Sequence, residues 1–493
     1  MQLRNDSAAV DPADGLTAGS EKIDADICVI GAGSGGLSVA AAAAAFGRKV
    51  VLLEKHKMGG DCLNYGCVPS KALLAAGKRA QIMRSSGDFG IAPTEPSVDF
   101  AAVNKHVKSV IAAIEPNDSV ERFTGLGVQV IQAAGKFIDK STVQAGEYLI
   151  KARRFVIATG SSPFVPPIPG LDSVPYFTNE TLFDNTTRPD HLIIVGAGPI
   201  GLEMAQAHRR LGSKVTVVEG AKALAKDDPE LTKVVLQQLR DEGIDILEGS
   251  LVQEVLAGRD GSVQVKYKSD AGEATVEGSH LLMAVGRKPN IEELGLENAG
   301  IKFERSGINV DAGMITSNRK VFAIGDCAGG LQFTHVANYH AGIVIRRALF
   351  QMPAKANDKV IPWVTYTEPE LAHCGMSEQQ ARDEYPTVNV LRWPYHENDR
   401  AQATRATEGL VKVLTDKRGR ILGASIVGDN AGELIQMWSL AISQKMKIKA
   451  MTEWVSPYPT LSEINKRAAY RYFGAAAGSA MVRTAINWLT KLG

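Results

Sequence analysis

Twice in this sequence an apolar strand runs straight into a Gly-x-Gly-x-x-Gly turn, a helix, a second strand and an acidic residue. That recurrence restricts the fold more than any other feature. In the first copy Asp26-Ile-Cys-Val-Ile30 leads into Gly31-Ala-Gly-Ser-Gly-Gly36; a helical run follows from Leu37 to Phe46, and Lys49-Val-Val-Leu-Leu53 ends on Glu54. In the second, His191-Leu-Ile-Ile-Val195 leads into Gly196-Ala-Gly-Pro-Ile-Gly201, then a helix from Leu202 to Leu211, then Val215-Thr-Val-Val218 ending on Glu219. The offset from first glycine to acid is 23 in both copies, and the copies lie 165 residues apart. This is the order of a dinucleotide-binding βαβ unit. Gly31 and Gly196 permit the tight turn, Gly33 and Gly198 let the backbone approach a pyrophosphate, and Gly36 and Gly201 allow close helix–strand packing. The helix N-terminus offers free N–H groups and a positive dipole end to the phosphates. Glu54 and Glu219 would accept hydrogen bonds from ribose hydroxyls. One such glycine triplet is weak evidence, because glycine turns are common. Two copies with one spacing imply two bound dinucleotides and hydride transfer between them.

The second copy also bears on the choice of pyridine nucleotide. Glu219 suits a free 2′-hydroxyl and would repel a 2′-phosphate, and no arginine lies between Gly220 and Pro229, although Lys222 and Lys226 are near. NADH is expected over NADPH.

At 493 residues the chain is too long for one hydrophobic core, so two to four compact domains are expected. A formal net charge of +1 gives no overall field that would draw nucleic acid. The apolar runs, such as Ala40 to Phe46, fall far short of the ~20 residues of a membrane span. The polar, mixed-charge residues 1–23 read as a flexible leader without a secretory apolar core. Five cysteines (28, 62, 67, 327 and 374) do not make a secreted disulfide scaffold, so a reducing cytoplasm is the expected location. There a close cysteine pair would be catalytic, regulatory or metal-binding.

Such a pair lies in Met58-Gly-Gly-Asp-Cys-Leu-Asn-Tyr-Gly-Cys-Val-Pro-Ser-Lys71. In a regular α-helix Cys62 and Cys67 would have Cα atoms roughly 8–9 Å apart on different faces, whereas a disulfide needs them within about 7 Å. The segment must therefore be irregular if the two pair, which Gly59, Gly60 and Gly66 permit. Pro69 fits the first turn of a following helix, whose dipole would favour a thiolate near its start. Two unpaired cysteines or half of a zinc site are the alternatives; CxxxxC is not the usual zinc spacing, and no second Cys/His pair lies nearby. Cys28, Cys327 and Cys374 read as structural.

From about Asp24 to Lys466 the chain resembles the class I pyridine nucleotide-disulfide oxidoreductases, a family that includes dihydrolipoamide dehydrogenase, glutathione reductase and mercuric reductase. The resemblance is carried, in family order, by Gly31–Gly36, the Gly-Gly-Asp-Cys…Cys-Val-Pro-Ser-Lys segment, Ala158-Thr-Gly160, Gly196–Gly201, Ala284-Val-Gly-Arg287, Ala323-Ile-Gly-Asp326 and Thr365-Tyr-Thr-Glu-Pro-Glu370. It implies an α/β fold, glutathione reductase-like, with two Rossmann-like dinucleotide-binding domains and an α+β C-terminal dimerisation domain. The implied division is a leader over 1–23, the first part of the FAD-binding domain over 24–157, the NAD(P)-binding domain over 158–286, a central segment completing the FAD domain over 287–358, and a dimerisation domain with a terminal helix over 359–493. Thr159, Gly160, Gly325 and Asp326 would join Gly31, Gly33, Gly36 and Glu54 in the FAD site, with Asp326 at the ribityl region. Gly286 would join Gly196, Gly198, Gly201 and Glu219 in the NAD site. Lys71 would lie near the flavin and pair with Glu203. The implied mechanism takes hydride from NADH to FAD and electrons on to a Cys62–Cys67 disulfide, with Cys67 against the flavin and Cys62 the exchange nucleophile.

One departure from the family pattern matters for the acceptor. Disulfide-reducing members carry His-Pro-Thr-x-x-Glu, donated by the partner subunit; here the run is Tyr458-Pro-Thr-Leu-Ser-Glu463, and no histidine follows His396. A tyrosine titrates near pH ~10, so at neutral pH it donates a hydrogen bond but is a poor base. A soft metal ion removes the need for that base, because it displaces protons from the reduced thiols itself. Mercuric reductases resemble this chain in having tyrosine at that place. They differ in a metal-binding CxxC domain before the core and a vicinal cysteine pair at the end, so mercury delivery here is expected to lack that relay.

The expected function is an FAD-dependent NAD(P)H oxidoreductase passing electrons through Cys62 and Cys67 to a soft metal ion or an oxidised small molecule. The two cysteines would be transient ligands of such an ion, with no structural metal. The alternatives are a dihydrolipoamide dehydrogenase acting on a lipoyl-carrier protein and a low-turnover flavin-binding redox sensor. A homodimer is expected, with Tyr458 and Glu463 facing Cys62 of the partner subunit. Phe473 to Leu492 places Met481, Ala485, Trp488, Leu489 and Leu492 at helical spacing with Arg483 and Lys491 as cations. That pattern reads as a packed terminal helix, with membrane-surface contact or a partner helix as the alternative.

Overall fold

The computed structural model describes residues 21–477 and 480–492, which divide into two compact units. The expected leader lies outside the described residues as far as residue 20; from Glu21 the chain is already strand, so residues 21–23 belong to the first sheet.

The first unit takes in residues 21–60, 115–161 and 289–356. Its centre is a parallel sheet in which Glu21–Ile30 lies between Val50–Leu53 and Tyr148–Ile157, flanked outward by Val128–Ile131 and Val321–Ala323. A hairpin of Gly135–Asp139 and Thr142–Ala145 extends it antiparallel. Parallel strands of this kind are covered on both faces and read as continuous apolar runs; Ile27, Cys28, Val29, Leu52 and Leu53 are all buried. The helices Ser34–Ala45 and Thr334–Ala348 cover one face, closely enough that a Cβ at Gly35 would lie 3.1 Å from the Ala337 methyl.

The second unit takes in 61–114, 162–288 and the residues from 357 onward. It repeats the strand–helix–strand arrangement in a four-stranded parallel sheet, ordered Ile244–Leu247, Lys214–Val218, His191–Val195, His280–Met283. The helix Cys67–Arg84 packs on Pro199–Arg210, where Gly77 allows an approach to Ala207 that leaves 3.2 Å for a Cβ. An antiparallel sheet follows, ordered Pro362–Thr365, Glu370–Gly375, Ile421–Gly428, Leu410–Asp416, Val388–Pro394. Its core holds the fully buried Trp438, whose indole N–H donates to Asn465 Oδ1 at 2.8 Å and so ties helix Ala431–Ser443 to helix Glu463–Ala477. This is the expected α/β architecture with an α+β C-terminal portion.

Two expectations need correction. Both glycine-turn helices begin three residues earlier than their apolar periodicity indicates, at Ser34 and Pro199, because glycines and a first-turn proline carry no hydrophobic signal yet are suited to a helix start. The terminal helix Ala480–Leu489 exists, but none of its residues is buried among the described residues, so it does not pack on the body as expected. Its partner is taken up below.

Two buried histidines in the second unit make its stability depend on pH. His208, in helix Pro199–Arg210, donates its Nδ1–H to the Met204 carbonyl at 2.8 Å, and burial holds its pKa down to about 4. His373 donates from Nε2 to the Gly375 carbonyl, so its Nδ1 must accept from Ser425 Oγ at 2.7 Å; burial again sets the pKa at about 4. Folded-state values below the ordinary 6.5 mean that the unfolded chain takes up protons first as the pH falls. The stability is intact above pH 6.5 and lost progressively towards pH 4, on the order of 3 kcal/mol for each histidine. We expect Tm, followed by near-UV circular dichroism, to fall across this window and to fall less in His373→Gln; an identical pH dependence in the variant would contradict the assignment.

Candidate functional site

In the first glycine turn, Gly31 has φ +106°, and a Cβ there would lie 2.4 Å from the Ala158 carbonyl oxygen. At Gly36 a Cβ would lie 1.9 Å from the Gly31 carbonyl oxygen, so only glycine lets the helix start this close to the strand end. Gly33, by contrast, leaves open space: its Cβ would meet only the Gly60 Cα, at 4.0 Å. The Glu54 carboxylate closes the turn, with Oε2 accepting from the Ala32 N–H and Oε1 from the His56 N–H, both at 2.8 Å. A carboxylate accepts about four hydrogen bonds, so lone pairs remain for ribose hydroxyls.

The second turn matches the first atom for atom. Gly196 has φ +108° and leaves 2.4 Å to the Ala284 carbonyl, Gly201 leaves 2.0 Å to the Gly196 carbonyl, and a Cβ at Gly198 would meet nothing. Glu219 accepts from the Ala197 and Ala221 N–H groups, both at 2.8 Å. Each turn therefore presents bare backbone at a helix N-terminus, with a carboxylate one strand away. That is the cradle a dinucleotide pyrophosphate and ribose require, and the residues present fit FAD in one turn and a pyridine nucleotide in the other. Gly286, φ +126°, is likewise open, and its carbonyl accepts from the Phe164 N–H.

The remaining first-unit candidates cluster at one end of its sheet. Thr159 Oγ1 donates to the Asn290 carbonyl at 2.6 Å, while Asn290 returns hydrogen bonds to the carbonyls of Thr159 and Gly160. Asp326 accepts from Ser161 Oγ at 2.5 Å, and the N–H of Gly325 donates to Nδ1 of the buried His340 at 3.2 Å. Cys327 beside them is buried, with its thiol on the Ile157 and Ile324 carbonyls, and burial pushes that thiol up. Cys28 and Cys374 are buried too, Cys374 pushed up to about 11, which makes all three poor nucleophiles.

The cysteine segment is irregular, as pairing would require. Cys62 sits half-buried in the short helix Gly60–Asn64, and Cys67 is the exposed first residue of helix Cys67–Arg84. At Gly66, between them, a Cβ would lie 2.8 Å from Asp61 Oδ2 and 3.4 Å from the Cys62 Cα, so the chain folds tightly back on the first cysteine. Asp61 anchors the turn. Its Oδ1 pairs with the Arg287 guanidinium at 3.0 Å and accepts from Asn179 Nδ2 at 3.0 Å, and Asn179 also donates to the Tyr65 carbonyl.

One turn into the second helix, Lys71 Nζ meets Glu203 Oε2 at 2.7 Å, the expected pair. Glu203 is buried, and its other oxygen accepts from the Tyr366 N–H at 3.0 Å, while the Lys71 ammonium lies 4.3 Å from the Tyr366 ring centroid. Partial burial, then the Glu370 and Glu203 carboxylates and Cys67, push the Tyr366 phenol above its usual value. Tyr366, Asp61, Arg287 and Asn179 were not singled out individually from the sequence. Asp61, Arg287 and Tyr366 lie inside recognised motifs, which is the only signal that marks them.

Tyr458 and Glu463 are not brought against the cysteines within one chain. Tyr458 is exposed, and its hydroxyl donates to Asp399 Oδ2 at 2.7 Å; that hydrogen bond and the carboxylate charge push its pKa above the ordinary phenol value. Glu463 accepts from Arg467, one turn on, at 2.7 Å. Among the described residues no group of three or more His, Cys, Asp or Glu side chains is arranged to hold a metal ion.

Comparison with known proteins agrees with these features. The pyridine nucleotide-disulphide oxidoreductase family matches residues 25–341, and its dimerisation domain matches 361–469. A mercuric reductase from Bacillus cereus is 34% identical over 453 residues, which span 91% of this chain and 72% of that protein. A dihydrolipoyl dehydrogenase from Geobacillus stearothermophilus is 35% identical over 470 residues, 92% of this chain and 97% of that one. Among solved structures, the Cu(II) complex of the HOCl-induced flavoprotein disulfide reductase RclA from Escherichia coli superposes with a TM-score of 0.80 at 28% identity, covering 90% of this chain and 98% of that one. LpdA from Mycobacterium tuberculosis superposes at 0.83 with 27% identity, covering 92% and 99%. On sequence and architecture together, the chain belongs to the class I pyridine nucleotide-disulfide oxidoreductases, flavin-dependent enzymes that work with a pyridine nucleotide.

Proposed function

We propose that this chain is an NADH-dependent reductase that passes electrons through a Cys62–Cys67 disulfide to a soft metal ion, and that it works as a homodimer. The first cradle, with Gly31, Gly33, Gly36 and Glu54, would hold FAD, which would supply the two-electron relay between NADH and the disulfide. The chain's own residues do the rest. Cys67 is the first residue of an 18-residue helix, where the positive end of the helix dipole favours thiolate over thiol. The Asp61–Arg287 pair holds the turn that keeps Cys62 close by. The Lys71–Glu203 pair keeps a cation one turn from Cys67.

The observation that carries the choice of acceptor is the Tyr458–Asp399 hydrogen bond. A phenol that donates to a carboxylate, with its pKa raised, keeps its proton at neutral pH and cannot serve as the base that reduction of a disulfide substrate needs. Two thiols that bind a soft divalent ion need no base, since the ion displaces both protons. The ion then accepts the two electrons that NADH supplied. The mercuric reductase relatives and the Cu(II) complex of RclA support this reading. The second reading, reduction of lipoyl groups on a carrier protein, is favoured by the dihydrolipoyl dehydrogenase relative that the chain covers almost end to end. For the pyridine nucleotide, the Glu219 carboxylate at the ribose end of the second cradle supports NADH.

Four measurements test the proposal. NADH reduction of the wild type should produce a long-wavelength thiolate-to-flavin absorbance in stopped-flow spectra. Cys67→Ser should lose both that band and turnover, and a variant that kept metal-dependent turnover would end the proposal. NADH oxidation should be faster with Hg(II) in excess thiol than with lipoamide. Tyr458→His should raise lipoamide turnover on the order of a hundredfold, the usual worth of a placed general base; equal or better lipoamide turnover in the wild type would favour the second reading. Glu219→Ala should narrow the preference for NADH over NADPH by about tenfold, read as the ratio of kcat/KM values, on the ground that a removed charge of this kind is worth roughly 1.4 kcal/mol. An unchanged ratio would remove Glu219 from that role.

A further inference from the structure

The helix Ala480–Leu489 is unexplained by the reductase chemistry. At 100° per residue its Trp488, Met481, Ala485, Leu489, Val482 and Ile486 fall in one continuous arc of about 160°, and Arg483, Thr484 and Asn487 occupy the opposite side. The apolar side is open to solvent: Met481 is 81% exposed, Trp488 63% and Leu489 57%. An apolar face of this kind is not left bare in water without a partner.

The charge of the surrounding segment identifies that partner. From Ile464 to Gly493 there is no aspartate or glutamate, while Lys466, Arg467, Arg471, Arg483 and Lys491 are all cationic. The whole chain carries only +1, so these 30 residues hold an excess of +5 against a net negative remainder. Arg467 is neutralised by Glu463, but Arg483 and Lys491 are exposed on the terminal helix and its last turn. A short helix with one apolar face carrying a tryptophan and a polar face whose only charges are positive is the pattern of a helix lying in the plane of an anionic lipid surface. It is too short to span one, and among the described residues no helix is long and apolar enough to cross a membrane. The matched dimerisation domain ends at residue 469, before this helix begins.

We infer that Ala480–Leu489 docks the enzyme peripherally on an anionic membrane surface, apolar face inward. The full-length holoenzyme should float with vesicles of phosphatidylcholine and phosphatidylglycerol in a 7:3 ratio. The bound fraction should fall at least tenfold with pure phosphatidylcholine vesicles and should fall again as salt is raised. The variant W488D/L489D should stay in the unbound fraction while keeping its dimeric mass by light scattering and its NADH-dependent turnover. Absence of flotation in the wild type, or equal flotation of the variant, would overturn the inference. So would conversion of the variant to a monomer, which would assign the face to a second copy of the chain.

Discussion

A methyl group at residue 36 would sit 1.9 Å from the carbonyl oxygen of Gly31, and one at residue 201 would sit 2.0 Å from that of Gly196. No side chain survives such a contact. The two glycine turns therefore bring a helix N-terminus directly against the end of a parallel strand, and both dinucleotide cradles depend on that close approach. The acids that follow are part of the same construction. Glu54 and Glu219 each bridge two backbone N–H groups at 2.8 Å, so the carboxylate that ends each second strand holds the turn shut. Removing either carboxylate would leave two N–H groups to find new partners, and binding and local order are coupled at these positions.

The cysteine segment works by the opposite principle. Where the cradles are regular, this stretch is a helix of five residues, a break at Tyr65 and Gly66, and a new helix beginning at Cys67. The break brings the backbone at Gly66 against Cys62 and gives Cys67 the first position of a long helix, where the helix dipole favours a negative sulfur. Charged anchors on either side keep the irregular backbone in place. Asp61 is held by Arg287 and Asn179 before the first cysteine, and Lys71 is held by Glu203 and Tyr366 after the second. Each pair has one partner largely out of solvent, so removing the other would leave a poorly solvated charge uncompensated. These anchors come from segments more than a hundred residues away in the chain.

Tyr458 stands where disulfide-reducing members of the family carry a histidine. In place of an imidazole that would exchange protons near neutral pH, the chain places a phenol that donates to Asp399 and is held above its usual pKa. Glu463, which in the family motif accompanies the histidine, turns to Arg467 instead. Asp399 gave no signal in the sequence, because nothing in a lone aspartate at the start of a short helix says that a tyrosine 59 positions later will reach it.

The chain's local chemistry was enough to specify the two strand–glycine–helix–strand–acid units, the strand periods and an irregular backbone between Cys62 and Cys67, because steric exclusion at glycine and apolar alternation act over a few residues. The Lys71–Glu203 pair was legible only through motif resemblance, since its members are 132 positions apart. Helix starts at Ser34 and Pro199 were missed by three residues each, because glycine and proline are silent in a hydrophobic pattern. Tertiary structure alone decided that Arg287 and Asn179 clamp Asp61, that Tyr366 caps the lysine–glutamate pair, that His208 and His373 are buried neutral, and that the terminal helix finds no apolar surface on its own chain. Each of these depends on which distant segments meet, and contact between distant segments is set by the packing of the folded chain rather than by the residues on either side.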